Sequence, residues 1–491
     1  MKRFVVTMVL VLIAGAACIA VYYGVRKPAA PPNVVFILLD ALREDRLDAL
    51  RDGHPVMPNI CALAGEGVRF DDTVTVCTWT KPAMATVFTG LPVDAHGVYF
   101  AARELPQGNV SDVLPESMET LAEWFRARDY ATFGVQTNAN CTRELGFAQG
   151  YDRHDYRFNN GALAPWVVTQ ALGAVYAMDA PFFLYTHFMD PHAPYTPPPD
   201  YQPPWTPVQG VPAREQAMLE DNDRFMAYYR DCAFTAIGLQ QERRLPPLSE
   251  AGEAWVRERY DAATHAMDAA VGRMVNEIRQ YFPNTVFIVT SDHGEEFWER
   301  GGMGHGTTLH AEQLRVPLII AGPGITPAVN ETPASLIDLA PTIAAYLDAP
   351  PLEVWQGRNL FAPAPDNHAR FARTRGVTYP DLQVDLAGVI EGAEKLIVDY
   401  LHNTRLLYDR VADPADQHNL AKSKPGQVES LTRLIERHQE AGSQVAGYTP
   451  PKAVAMEPAQ QEALEALGYL GGAEEPRTPD NNTGALAPHM P

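Results

Sequence analysis

Five short apolar runs set the limits on what this chain can fold into: Asn33–Leu39, Ala131–Val135, Pro181–Thr186, Thr285–Thr290 and Val316–Ala321. None shows the polar–apolar alternation of a half-exposed strand. Continuous apolar runs of this length suit strands covered on both faces, as in a parallel sheet. Helical patterns lie between them. Met118–Arg128 has helical spacing, and Val256, Tyr260, Ala263, Met267, Val271, Met274 and Ile278 recur on one helix face. Ser335–Leu347 repeats the pattern, with Pro341 expected to kink or interrupt it. Strands alternating with helices predict an α/β fold, a doubly wound and mostly parallel sheet flanked by helices. Such sheets carry their sites at the carboxyl ends of the strands. Asp40, His187 and the pair Asp292-His293 follow three different runs, so one sheet edge collects all four.

The 491 residues, 46% of them hydrophobic, are enough for a large core. A net charge of −21 argues against a nucleic-acid partner, which would need a basic footprint. Between Lys2-Arg3 and Arg26-Lys27 the chain is nearly uncharged and apolar, long enough to span a bilayer. Residues 1–27 are therefore expected to be a signal anchor or signal peptide, with the body membrane-anchored and facing the periplasm or cell exterior. The expected catalytic domain is 28–365, with 196–250 inserted as a loop or lid. Residues 366–450 read as a small C-terminal α+β subdomain, and 451–491 as a helix and disordered tail. Cys61, Cys77, Cys141 and Cys232 could pair in an oxidising compartment, in three connectivities.

Asp40, Thr80, Asp292 and His293 make a chemically coherent set. Two carboxylates, an imidazole and a hydroxyl can hold one divalent ion. An ion beside Thr80 would favour its alkoxide and so create a nucleophile at neutral pH. Lys81 would add positive charge next to it. Singly, each residue also has a structural reading, since an Asp at a strand end is often a cap or turn residue.

The segment from Thr78 to Gly90 (TWTKPAMATVFTG) resembles the nucleophile segment of the sulfatases, Cys or Ser-x-Pro-x-Arg running on to Thr-Gly. Counting back from Thr89-Gly90 puts the nucleophile position at Thr80 and the Arg position at Met84. A Thr cannot become the formylglycine that sulfatases make from Cys or Ser. Val34–Arg43 resembles the family's opening strand, with Ala41 where a second Asp is common. Thr290–Phe297 and Gly304-His305-Gly306 are similar to its second metal segment. His187–Tyr195 resembles its His-containing loop, and Leu314–Gly324 the strand that follows. Leu407-Tyr408-Asp409, Asp413-Pro414 and Asn419-Leu420 resemble its C-terminal subdomain, and Ala466–Gly471 a tail of bacterial members. The likeness covers roughly residues 33–472.

The resemblance implies an alkaline-phosphatase-superfamily fold and a single divalent ion (Ca, Mn, Zn or Mg) on Asp40, Asp292, His293 and Thr80. Thr80 would be ligand and nucleophile. His192 and His305 would hold or protonate the ester's oxygens, His305 standing where many sulfatases have Lys. Lys81, Asn138 and His187 are the expected substrate contacts, and His310 is read as structural. The implied activity is metal-dependent hydrolysis of anionic sulfate, phosphate or phosphonate esters, with Thr favouring phosphorus. Two alternatives stand beside it. One is a phosphotransferase like the phosphoethanolamine transferases, whose nucleophile is Thr. The other is a non-catalytic, membrane-tethered binding protein, for which Met84 and Ala41 are the evidence.

Overall fold

The computed structural model describes residues 30–101, 103–105, 108–158, 163–178, 181–236, 245–363, 365, 368–379, 382–445, 453–467 and 469. The proposed anchor, Cys18 and the expected disordered tail lie outside them. No helix among the described residues is long and apolar enough to cross a membrane.

The central sheet has eight strands: β1 (Asn33–Leu39), β2 (Val68–Phe70), β3 (Ala131–Gln136), β4 (Arg153–Tyr156), β5 (Phe182–Phe188), β6 (Thr285–Thr290), β7 (Leu318–Ala321) and β8 (Ala328–Asn330). Their order is β8-β2-β7-β6-β1-β5-β3-β4. β1 pairs in parallel with both β5 and β6, and β5 with β3; β7 runs antiparallel to β6 and β2. All five apolar runs contribute strands. β1 is buried along its whole length. Its alternate residues serve opposite layers, Val35, Ile37 and Leu39 in one apolar cluster and Val34, Phe36 and Leu38 in another. That two-sided burial is why the run does not alternate.

Helices cover both faces. α1 (Thr80–Thr89), α2 (Leu121–Arg126), α3 (Ala164–Ala177), α4 (Asn222–Ala236), α5 (Glu250–Tyr281) and α6 (Leu339–Tyr346) belong to this layered body. α2 starts where Thr120 and Glu123 form a reciprocal capping box. Pro341 differs from its expected role. It is the third residue of α6, where its missing N–H has no intrahelical acceptor. A 3₁₀ turn, Leu336–Asp338, precedes it. The helical pattern is thus a change of helix type at Leu339, with Pro341 in the first turn rather than at a kink.

An antiparallel meander of β9 (Arg370–Tyr379), β10 (Leu382–Glu391), β11 (Glu394–Asp399) and β12 (Thr404–Asp409) forms the small subdomain. One of its faces packs Val389, Leu396 and Leu407 against Leu431 and Ile435 of α7 (Pro425–Ser443). A last helix, α8 (Pro458–Ala466), returns to the main body. The expected cysteine pairing is not formed: Cys61, Cys77, Cys141 and Cys232 are free thiols.

Candidate active site

The parallel register aligns the ends of three strands. Leu38 stands beside His187 on β5 and beside Thr290 on β6, so Asp40, His187 and Asp292 emerge at one edge. The chain turns sharply after β1 because Ala41 takes a left-handed conformation, φ 55°. The turn is held from both sides. The Ala41 amide donates to Asp292 Oδ1 at 3.2 Å, and Tyr260 Oη of α5 donates to the Ala41 carbonyl at 2.9 Å. The Leu42 amide donates to Ser291 Oγ at 2.9 Å. In the Asp-His-Gly turn, a Cβ on Gly294 would come within 2.1 Å of the Glu312 carbonyl oxygen. Only glycine fits that approach.

The two carboxylates are satisfied in the same lopsided way. Asp40 Oδ2 accepts from His187 Nε2 at 2.7 Å and from Asn138 Nδ2 at 2.6 Å. Asp292 Oδ1 accepts from the amides of Ala41 and His293. Asp40 Oδ1 and Asp292 Oδ2, both buried, have no hydrogen-bond partner. Both face His293 Nε2, at 3.7 and 3.5 Å. His293 Nδ1 lies 2.9 Å from the Gly294 carbonyl, to which it can only donate. In the neutral ring that leaves a lone pair on Nε2 facing two carboxylate oxygens. A cation between these three atoms resolves the repulsion. All three lie within 4.8 Å of one another. Two orphaned carboxylate oxygens and an imidazole lone pair fit a divalent ion.

Charge balance points the same way. Burial opposes it, yet the hydrogen bond from His187 and the nearby histidines hold Asp40 well below the usual carboxylate range. Burial and the Asp40 charge raise Asp292. Burial would lower His293, but Asp292 and Asp40 raise it above an ordinary histidine.

Thr80 opens α1 and is wholly buried. Its Oγ1 lies 3.3 Å from His293 Nε2 and 3.3 Å from Asn138 Nδ2. The unpaired amides at a helix start favour an anion there. Met84, at the family's Arg position, is buried in the apolar cluster with Phe36 and Phe88. No charge comes from that position.

His192 and His305 face each other across 4.9 Å between ring centres, and His305 lies over His293 at 4.1 Å. His305 Nδ1 lies 3.1 Å from both Glu295 Oε1 and Tyr229 Oη of α4. Burial, with the charges of His293 and His192, drives His305 well below an ordinary histidine. Burial pushes the Glu295 carboxyl up to about 7.

Two expected substrate contacts are otherwise committed. Lys81 Nζ donates to the Phe100 carbonyl at 3.1 Å and to Ser111 Oγ at 2.5 Å, which anchors the start of α1 to the strand Gly108–Asp112 and the loop before it. His187 is spent on Asp40. His310 lies away from this centre, beside Asp416 and Tyr408. Sequence reasoning missed Glu295, Tyr229 and Tyr469. Glu295 directly follows the Asp-His-Gly turn and was visible there. Tyr229 sits on α4 in a polar stretch with no signal of its own.

The sulfatase family model matches residues 32–349. The chain belongs to the sulfatase family. It is 28% identical to human arylsulfatase A over 472 residues, 84% of this chain and 87% of that protein. It is 26% identical to the choline-sulfatase of Rhizobium meliloti, over 84% of this chain and 86% of that one. A phosphonate monoester hydrolase from Silicibacter pomeroyi has a similar fold, with a TM-score of 0.64 and 18% identity over 84% of this chain and 96% of its own. Within the sulfatase frame this chain keeps the carboxylates and imidazole that suit an ion and puts a threonine hydroxyl beside them.

Proposed function

We propose that the protein is a metal-dependent hydrolase of sulfate, phosphate or phosphonate esters, with Thr80 as its nucleophile and its body outside the cytoplasm. The observation that carries this is the position of Thr80 Oγ1, 3.3 Å from both His293 Nε2 and Asn138 Nδ2 at the start of a buried helix. A divalent ion on Asp40, Asp292 and His293 would favour the Thr80 alkoxide and offset the charge of the ester. Thr80 Oγ1 attacks the tetrahedral phosphorus or sulfur. The new Thr80 O–P or O–S bond forms as the ester's alcohol leaves. Asn138 Nδ2 donates toward the Thr80 oxygen and helps to fix its direction. His192 and His305 form the far wall beside the ester oxygens; because burial and its neighbours keep His305 neutral, His192 is the residue assigned to protonate the departing alcohol. Water then attacks the same centre, and Thr80 is released as the hydroxyl. An acceptor alcohol in place of water would make the second step a transfer.

Thr supports phosphorus over sulfur, because a formylglycine sulfatase relies on an aldehyde hydrate to expel sulfate and Thr80 has none. The apolar run between Lys2-Arg3 and Arg26-Lys27 supports an N-terminal anchor or signal.

The test is turnover of p-nitrophenyl sulfate, p-nitrophenyl phosphate and a p-nitrophenyl phosphonate with added Mn²⁺, Zn²⁺, Ca²⁺ or Mg²⁺. Activity is expected on a phosphorus ester and is expected to vanish in Thr80→Ala. Full activity in that variant rejects the nucleophile. No turnover with any pair of ester and ion favours the non-catalytic binding protein instead.

A further inference from the structure

The C-terminal end of the chain reaches the catalytic histidines. Tyr469 Oη lies 3.2 Å from His192 Nε2 and 3.0 Å from His305 Nε2. Its ring packs 6.3 Å from Trp79, the residue before Thr80. One buried side chain therefore touches the loop after β5, the loop after β6 and the start of α1.

The local sequence explains how it gets there. α8 ends at Ala466, with Leu467 as its cap. The Tyr469 amide donates to the Leu464 carbonyl at 2.9 Å, which turns the chain back along the end of α8. Leu464, Leu467 and Tyr469 then pack with Trp79, Ala139 and Met189. Gln460 Nε2 donates to the Ala139 carbonyl at 3.3 Å. Upstream, Ala453–Ala455 pairs with the strand Gly108–Asp112, and Val454 stands opposite Ser111, the residue that holds Lys81. The tail is thus fastened at three points around the nucleophile.

A phenol in this position has a definable task. The His192 Nδ1 hydrogen is committed to the Ala193 carbonyl at 2.8 Å, so its Nε2 accepts when the ring is neutral. Tyr469 can donate to it and accept from His305 in the tautomer that carries its hydrogen on Nε2. Buried imidazole nitrogens need such partners to hold one orientation.

We propose that Tyr469 is a positioning residue of the ester-cleaving site, supplied by the C-terminal tail, which holds His192 and His305 in register for the substrate. The proposal rests on the reading of these histidines given above. Along the tail helix a cavity of about 370 Å³ opens, lined by Thr137, Phe158, Met189, Glu462, Ala463 and Leu467.

The test uses the full chain with Tyr469→Phe, which keeps the ring on Trp79 and removes only the hydroxyl. Thr80→Ala and wild type are run beside it with the p-nitrophenyl esters. Expected are a kcat lower by about 10- to 100-fold, as for loss of an outer partner of a working residue, with KM within about threefold and the melting temperature unchanged. The pH–rate profile is expected to move, because the histidines lose a partner. Orthovanadate binding by calorimetry serves as a second readout that needs no turnover, and weaker binding by Tyr469→Phe is expected. Wild-type kcat and vanadate affinity in Tyr469→Phe overturn the proposal. So does a raised kcat/KM, which would make the hydroxyl a plug that substrate must displace. If Tyr469→Phe behaves as wild type while Thr80→Ala is dead, only the tail proposal falls. If Thr80→Ala is fully active, the nucleophile reading falls instead, and Tyr469→Phe is judged on its own numbers. A wild type that neither turns over ester nor binds vanadate removes both.

Discussion

His187 Nε2 lies 2.7 Å from Asp40 Oδ2, and neither side chain reaches solvent. On its other side, His187 Nδ1 meets Tyr185 Oη at 2.8 Å. Asp40 is therefore aimed by a rigid relay running down β5, and its second oxygen is left for the ion. His187→Ala is expected to weaken the divalent ion by about 10- to 100-fold, read by competition with a chelator. An unchanged affinity would mean that Asn138 alone orients the carboxylate.

Thr80 and Cys77 separate two ways of reading the nucleophile segment. Thr80→Ser keeps a hydroxyl at the start of α1 and should retain turnover, whereas Thr80→Ala should lose on the order of 10⁴-fold or more in kcat. Cys77 is buried, with its Sγ 3.5 Å from Thr374 Oγ1, and burial pushes its thiol up to about 12. It is an inert core thiol. Peptide mass spectrometry should find both Thr80 and Cys77 unmodified. An aldehyde at Cys77 would shift the motif by three positions and remove Thr80 from the chemistry.

How much of this the sequence carried depends on the kind of signal. β1, β5 and β6 were legible because two-sided burial leaves long apolar runs with nothing polar to blur them. Asp40, Asp292 and His293 were legible because they end those runs. Thr80 needed the family motif, since a threonine at a helix start has no signature of its own. Where Lys81 points could not be read, because the chain position of a cation does not say where its flexible stem goes; here it reaches Ser111. Tyr229 and Tyr469 come from segments remote in sequence and reach the site through tertiary packing alone. The antiparallel direction of β7 could not be read either, because a strand of four buried residues looks the same in both directions.

Asp416 ties the small subdomain to the main body. It pairs with Lys395 on β11, accepts from the Ala311 amide at 3.0 Å and faces His310 Nδ1 at 3.4 Å. Burial works against the charge, but His310 beside it and the Lys395 ammonium bring the carboxyl down to about 2. A carboxyl lowered on folding stabilises the folded state when ionised. That contribution is whole above the ordinary value of 3.8 and fades as pH falls toward 2. Asp416→Asn leaves Lys395 buried without its partner and should cost roughly 3–5 kcal/mol at pH 7. Denaturant melts at pH 7 and near pH 2.5 should show the gap between variant and wild type narrowing in acid. A gap that stays constant would mean that the Ala311 contact, not the charge, fastens the subdomain.

Ion removal should be felt by the whole fold, because the ion would stand among buried charges rather than at the surface. Without it, Asp40 Oδ1 and Asp292 Oδ2 face each other's field with no donor. His293 is the group that responds: with burial opposing, Asp292 and Asp40 raise it, so in the metal-free protein it tends to take up a proton. An incoming ion must displace that proton. Affinity should therefore fall as pH is lowered, and binding near neutral pH should release protons into the buffer. An ion present at about 1,000 times its dissociation constant adds about 4 kcal/mol to stability, so chelation should lower the melting temperature by several degrees. Calorimetric titrations in buffers of different ionisation enthalpy would count the protons released. If ion binding neither releases protons nor raises the melting temperature, the ion is not held at His293, and Thr80 loses the charge that would activate it.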